Sequence, residues 1–90
     1  MKRIDAFKVE ADDGSFTVEL DMPRCIVYEE GEDRIFVGVE NMLDEWGVFY
    51  PDENEWESGR PVSEDDAERI MSNVEAALQH FHESYVILRD

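Results

Sequence analysis

The side chains of this 90-residue chain whose types could do chemistry are two histidines, one cysteine, five serines and an abundance of carboxylates. His80 and His82 suggest a metal. On a helix, positions i and i+2 point about 200° apart, so the pair cannot chelate one ion. Metal-binding helices space their histidines at i,i+4. Asp52-Glu53-Asn54-Glu55 offers oxygen ligands but lacks the spacing and the glycine of a calcium loop. Paired carboxylates could hydrolyse a glycoside, but that needs two at a fixed separation in a cleft. With 24 acidic residues, some pair always lies close, so proximity alone carries no weight. Ser15, Ser58, Ser63, Ser72 and Ser84 lie in no nucleophile motif. No glycine-rich loop is present to cradle a phosphate. Cys25 falls in an apolar run and reads as a small buried hydrophobe. The sequence thus points to no catalytic residue, no metal and no cofactor, and the chain is expected not to be an enzyme.

The charge says more. Twenty-four Asp and Glu oppose eight Lys and Arg, a net charge of −16. Such a balance repels nucleic acid, anionic lipid and acidic substrates, and it attracts basic partners. The basic residues are dispersed rather than gathered in the patch that direct nucleic-acid binding needs. Within this background Trp56 stands between Glu55 and Glu57, next to Glu53. A half-exposed aromatic ringed by carboxylates suits a protein interface, the ring as anchor and the acids as steering groups. The other reading is that Trp56 folds back as a lid over one end of the core. Glu29, Glu30, Glu32 and Asp33 form a second acidic run and are expected to make a second acidic edge.

These candidates must be held by a small scaffold. Residues 1–90 make one domain, since there is no room for two. Ile4 to Glu10 is apolar with partial alternation, and Asp12-Asp13-Gly14-Ser15 is a turn signal. Phe16, Val18 and Leu20 alternate with polar residues as a half-buried strand does. Met22-Pro23 ends that strand and Cys25 to Tyr28 is the next. A hairpin loop over Glu29 to Asp33, with Gly31 supplying positive φ, leads to Ile35, Val37 and Val39. Trp46 to Tyr50 reads as a fifth strand, and Pro51 to Pro61 is an irregular acidic loop of the kind that often carries function.

Ser63 is a good N-cap, Asp66 stands at the capping-box position, and Val62 and Ala67 form a hydrophobic staple. Ala67, Ile70, Met71, Val74, Ala77, Leu78 and Phe81 then recur at three and four residues as one helical stripe. Tyr85 to Leu88 is a closing strand. The expected fold is α+β: a mostly antiparallel sheet of five to six strands, one long helix from the C-terminal half on one face, and a strand at the end.

From Trp56 onward the chain resembles a family of bacterial polymorphic-toxin immunity proteins, the small family numbered seventy-four. The resemblance rests on Trp56, a short polar spacer, Pro61-Val62-Ser63-Glu64, then Arg69-Ile70 and Val74 on the helix, and the terminal strand. It covers about residues 46–90, and the front half agrees in strand order and length. The family carries a glycine between helix and last strand where this chain has Phe81-His82-Glu83-Ser84. The resemblance implies binding without catalysis, the partner being a cognate toxin domain. It carries over no binding residue.

Together these readings give a cytoplasmic, non-catalytic acidic binding protein that masks a basic surface of a protein partner. Glu53, Glu55, Trp56 and Glu57 are the expected contact residues, with Glu29, Glu30, Glu32 and Asp33 beside them. No direct nucleic-acid contact and no membrane contact is expected. The N-terminus shows no signal peptide, no run reaches the ~20 apolar residues that cross a bilayer, and a single cysteine fits a reducing compartment. A homodimer through an exposed strand edge stays open. The alternative is that the acidity adapts the domain to high salt and reports no partner; two lysines against six arginines fit that surface.

Overall fold

Alternating apolar residues need a second layer to bury their apolar phase, and the helical stripe supplies it. The computed structural model describes residues 1–52 and 54–89. It contains β1 (Lys2–Asp5), β2 (Lys8–Glu10), β3 (Phe16–Asp21), β4 (Cys25–Glu30), β5 (Asp33–Asn41), β6 (Trp46–Phe49), α1 (Glu64–His80) and β7 (Tyr85–Leu88). The α+β architecture is as expected, with seven strands rather than five to six in the sheet.

The additional strand comes from the N-terminal run. Residues 4–10 are not one strand but the join of two, folded back at Ala6-Phe7. No glycine marks this turn. The Asp5 carboxylate accepts from the Ala6 N–H at 2.6 Å at its start.

The strands lie in chain order across the sheet, and each neighbouring pair is antiparallel until β6 and β7, which are parallel. A parallel pair needs a crossover of roughly a dozen residues or more. Residues 50–84 provide it, as a loop followed by α1. At the β4–β5 hairpin Glu30 pairs with Asp33, so the loop is only Gly31-Glu32, and Gly31 has φ 61°. That is the glycine-favouring first position of a tight two-residue hairpin turn.

Helix α1 begins as its sequence dictates. The Ser63 hydroxyl accepts from the Asp66 N–H at 3.0 Å, and the Asp66 carboxylate accepts from the Ser63 N–H at 3.3 Å. Asp at the third position does the work usually given to Glu or Gln. Ala67, Ile70, Met71, Val74, Ala77 and Leu78 are buried against one sheet face. That face contributes Val9, Val18, Leu20, Ile26, Tyr28, Ile35, Val37 and Val48. The helix closes in a Schellman motif: the Glu83 N–H donates to the Leu78 carbonyl and the His82 N–H to that of Gln79. His82 takes the left-handed conformation there, φ 58°, where glycine is usual.

Candidate partner-binding surface

Trp56 is not the half-exposed anchor that its acidic neighbours suggest. It is 1 % exposed and closes one end of the core, its ring 6.3 Å from that of Tyr28. The cause lies in the backbone around it. Strand β5 outruns β6, which pairs only with Val39 to Asn41. The exposed early part of β5 is bonded instead by the loop. The Glu57 N–H donates to the Arg34 carbonyl at 2.7 Å, and Asn54 Nδ2 donates to that of Phe36 at 3.1 Å. This seam turns the indole inward. The Trp56 N–H and carbonyl bond Arg60 and Gly59 across the loop, and the Arg60 guanidinium lies 4.8 Å above the indole. The lid reading is the one the structure bears out, and the loop is a structural edge cover.

The carboxylates around Trp56 divide. Glu53 lies outside the described residues. Glu55 is exposed and bridges to Pro61 through its backbone. Glu57 grips Arg34 with both oxygens, at 2.5 and 3.2 Å, and that contact holds its carboxyl below the ordinary range.

The second acidic run keeps Glu29, Glu32 and Asp33 on one edge and loses Glu30 to the helix side. Successive strand residues point to opposite faces, so Glu29 and Glu30 part company. Glu29 stands on the open face, 3.6 Å from Lys8. Glu30 turns toward α1, where it accepts from Arg69 and from the Tyr28 hydroxyl at 2.6 Å. Burial works to raise the Glu30 carboxyl, but the hydrogen bonds from Arg69 and Tyr28 outweigh it and the group is held low. Burial, aided by Glu30, pushes the Tyr28 phenol up. Asp33 accepts from the Ser58 hydroxyl at 2.6 Å and from the Arg34 N–H, and the Ser58 bond leads in lowering its carboxyl. Glu32, at the hairpin tip, is exposed. Among the described contact residues, Glu29, Glu32, Asp33 and Glu57 line one shallow hollow with Arg34 and Ser58 beside the β4–β5 hairpin, whereas Glu30 turns to α1 and Glu55 is not part of that hollow.

The face that the sequence reading missed is the side of the sheet away from α1. Cross-strand register puts Val27 beside Phe36 and Cys25 beside Gly38 on that side, and continues to Phe49 and Leu88. Phe36 is 50 % exposed and Phe49 46 % exposed. The signal was present, since Phe36 occupies the polar phase of an alternating strand. The floor is tight: a Cβ on Gly47 would stand 2.7 Å from a Leu88 methyl carbon, so Leu88 lies flat over that glycine. Cys25 belongs to this strip and is partly exposed rather than buried. Burial, then the nearby Asp21 carboxylate, raises its thiol, which opposes nucleophilic use.

The histidines are terminal helix furniture: His80 meets Phe81 edge-on at 5.5 Å and His82 forms the turn. Among the described residues no group of His, Cys, Asp and Glu is placed to hold a metal ion, and no helix is long and apolar enough to cross a membrane. Compared with known protein families, with curated proteins and with solved structures, the chain matches none.

Proposed function

We propose that this protein is a non-catalytic, cytoplasmic binding protein that masks a basic surface on a protein partner, in the manner of an immunity protein occluding a toxin. One observation carries the reading: apart from Lys2, the cations are engaged at the surface by groups of the same chain. Lys8, Arg24, Arg34, Arg60 and Arg69 each face a carboxylate of the same chain, and Arg3 and Arg89 lie over the rings of Phe81 and Tyr50. The excess of sixteen negative charges is left to the surface. A field of one sign speeds encounter with a cationic partner and rejects polyanions. Occlusion follows when carboxylates take the positions that substrate phosphates would occupy on the partner. The resemblance of residues 46–90 to the immunity family supports the same reading.

Co-expression with the product of the neighbouring open reading frame tests it. Rescue of the host from toxicity, with recovery of a complex that weakens as salt rises, is the expected result. A neighbour that is neither basic nor toxic, with no rescue, overturns it.

A second reading, adaptation to concentrated salt, is favoured by the two lysines against six arginines. Melting across salt separates the two. A salt-adapted domain unfolds in dilute buffer, whereas an acidic binding protein stays folded at about 50 mM salt and gains only mildly from screening.

A further inference from the structure

The two edges of the sheet are built differently. At one edge β1 carries Lys2, Arg3 and Asp5 and shifts register between Arg3 and Asp5, which blunts it against further pairing. At the other edge β7 is Tyr85-Val86-Ile87-Leu88, with no charge, no proline and a regular register to β6. The Ser84 and Leu88 carbonyls accept from the Trp46 and Tyr50 N–H groups. Strand alternation therefore turns the N–H and C=O of Tyr85 and Ile87 outward, where they have no ladder partner among the described residues.

The two sides of this edge differ in chemistry. On the helix side a groove of about 510 Å³ runs between α1 and β7, walled by Glu68, Ser72 and Glu75 and floored by Met71 and Ile87. Glu75 accepts from the Tyr85 hydroxyl at 2.9 Å, which fixes that ring against the helix. Arg89, the cation at the groove's end, is held 3.9 Å over the Tyr50 ring. On the other side Val86 and Leu88 continue the apolar strip of Phe49.

We infer that β7 is the pairing edge for an extended segment of the basic partner, one whose side chains alternate between arginine or lysine and apolar residues. Main-chain bonds to Tyr85 and Ile87 supply the pairing. The basic phase of the added strand enters the groove beside Glu68 and Glu75, and its apolar phase extends the strip of Val86, Leu88 and Phe49. A second copy of this chain is a poor occupant. Pairing β7 with β7 would set Glu68 and Glu75 of one copy against the same residues of the other, each copy carrying −16. The inference rests on the reading of a basic protein partner and adds where and how that partner docks.

The test uses the full chain and a blocked peptide alternating arginine and valine, followed by amide hydrogen exchange at about 50 mM salt. A matched peptide with an N-methyl group on every amide keeps the charge and the side chains but has no N–H left on either edge to pair. The expected result is about tenfold slower exchange at Tyr85 and Ile87 with the first peptide and no slowing with the second. The Glu68→Gln/Glu75→Gln protein should bind the first peptide about tenfold more weakly while keeping its melting temperature. Equal binding of both peptides, or binding without protection of Tyr85 and Ile87, overturns the edge assignment and leaves the charge-masking reading standing. Binding of neither peptide also overturns it, and charge masking is then judged by toxicity rescue alone. Protection that rises with protein concentration in the absence of peptide assigns the edge to self-pairing and overturns the partner.

Discussion

Arg69 on α1 and Glu30 on β4 form a two-pronged ion pair, Nε to Oε2 at 3.1 Å and Nη2 to Oε1 at 2.5 Å, which ties the helix to the centre of the sheet. Arg69 also reaches Asp66 at 2.8 Å, and Glu30 holds the Tyr28 hydroxyl, which Asn73 also contacts. The capping box is thereby wired to the sheet through one guanidinium. Both partners are partly exposed, so screening limits the pair, but its bidentate geometry places it above an ordinary surface bridge. Arg69→Ala is expected to cost about 1 kcal/mol, read as a fall of roughly 4–8 °C in melting temperature for a domain this small. Arg69→Lys should recover only part, since an ammonium cannot make the fork.

Acid should dissolve this wiring in a defined window. The Arg69 hydrogen bond leads in holding the Asp66 carboxyl down to about 2, against an ordinary value of about 3.9. A group whose folded value is depressed stabilises the fold above its unfolded value, and the contribution vanishes as pH falls through the folded one. Asp66→Asn removes the charge and keeps a hydrogen-bond acceptor. Melting of wild type and variant should differ at pH about 6, begin to converge below about 4, and coincide only at about pH 1, below the folded value. A difference that persists unchanged at about pH 1 would show that the carboxylate's charge is not what stabilises the helix start.

Trp56 gives the largest expected effect. It is among the fully buried side chains, packed on Tyr28 and capped by Arg60. Trp56→Ala should cost about 3–5 kcal/mol, enough to unfold much of a small domain at ambient temperature. Glu55→Gln, one residue away and exposed, should change stability by less than about 0.5 kcal/mol. Denaturant titration of the two variants checks the contrast. Similar small effects for both would return Trp56 to the surface.

How far the sequence was readable follows from these same residues. Period two in Phe16-Val18-Leu20 and period three to four from Ala67 to Leu78 report burial directly, and the strands and helix lie where those periods put them. The Ala6-Phe7 turn left no such trace, because neither glycine nor proline marks it. Trp56 misled because the charge of its neighbours in sequence says nothing about a loop whose backbone is pinned to β5 by Glu57 and Asn54. Glu29 and Glu30 misled in the same way, since adjacency in a strand means opposite faces. The open face and the β7 edge required knowing that β7 returns to lie parallel to β6, a long-range pairing that local pattern does not encode.

The residue at the end of α1 offers the cleanest gain. His82 holds φ 58° to complete the Schellman motif, with the Glu83 N–H returning to Leu78. For a residue with a Cβ, that conformation costs about 1–2 kcal/mol. Glycine relieves the clash but loses more chain entropy on folding, which offsets part of the gain. His82 is exposed, so little packing is lost with its ring. His82→Gly is therefore expected to raise stability by about 0.5–1 kcal/mol, or roughly 4–8 °C per kcal/mol in melting temperature. His82→Ala keeps the steric cost and should give no such gain. Because the substitution stands next to β7 without altering it, His82→Gly should leave peptide protection at Tyr85 and Ile87 unchanged. A variant that gains stability and loses that protection would mean that the turn, and not the strand edge, governs docking.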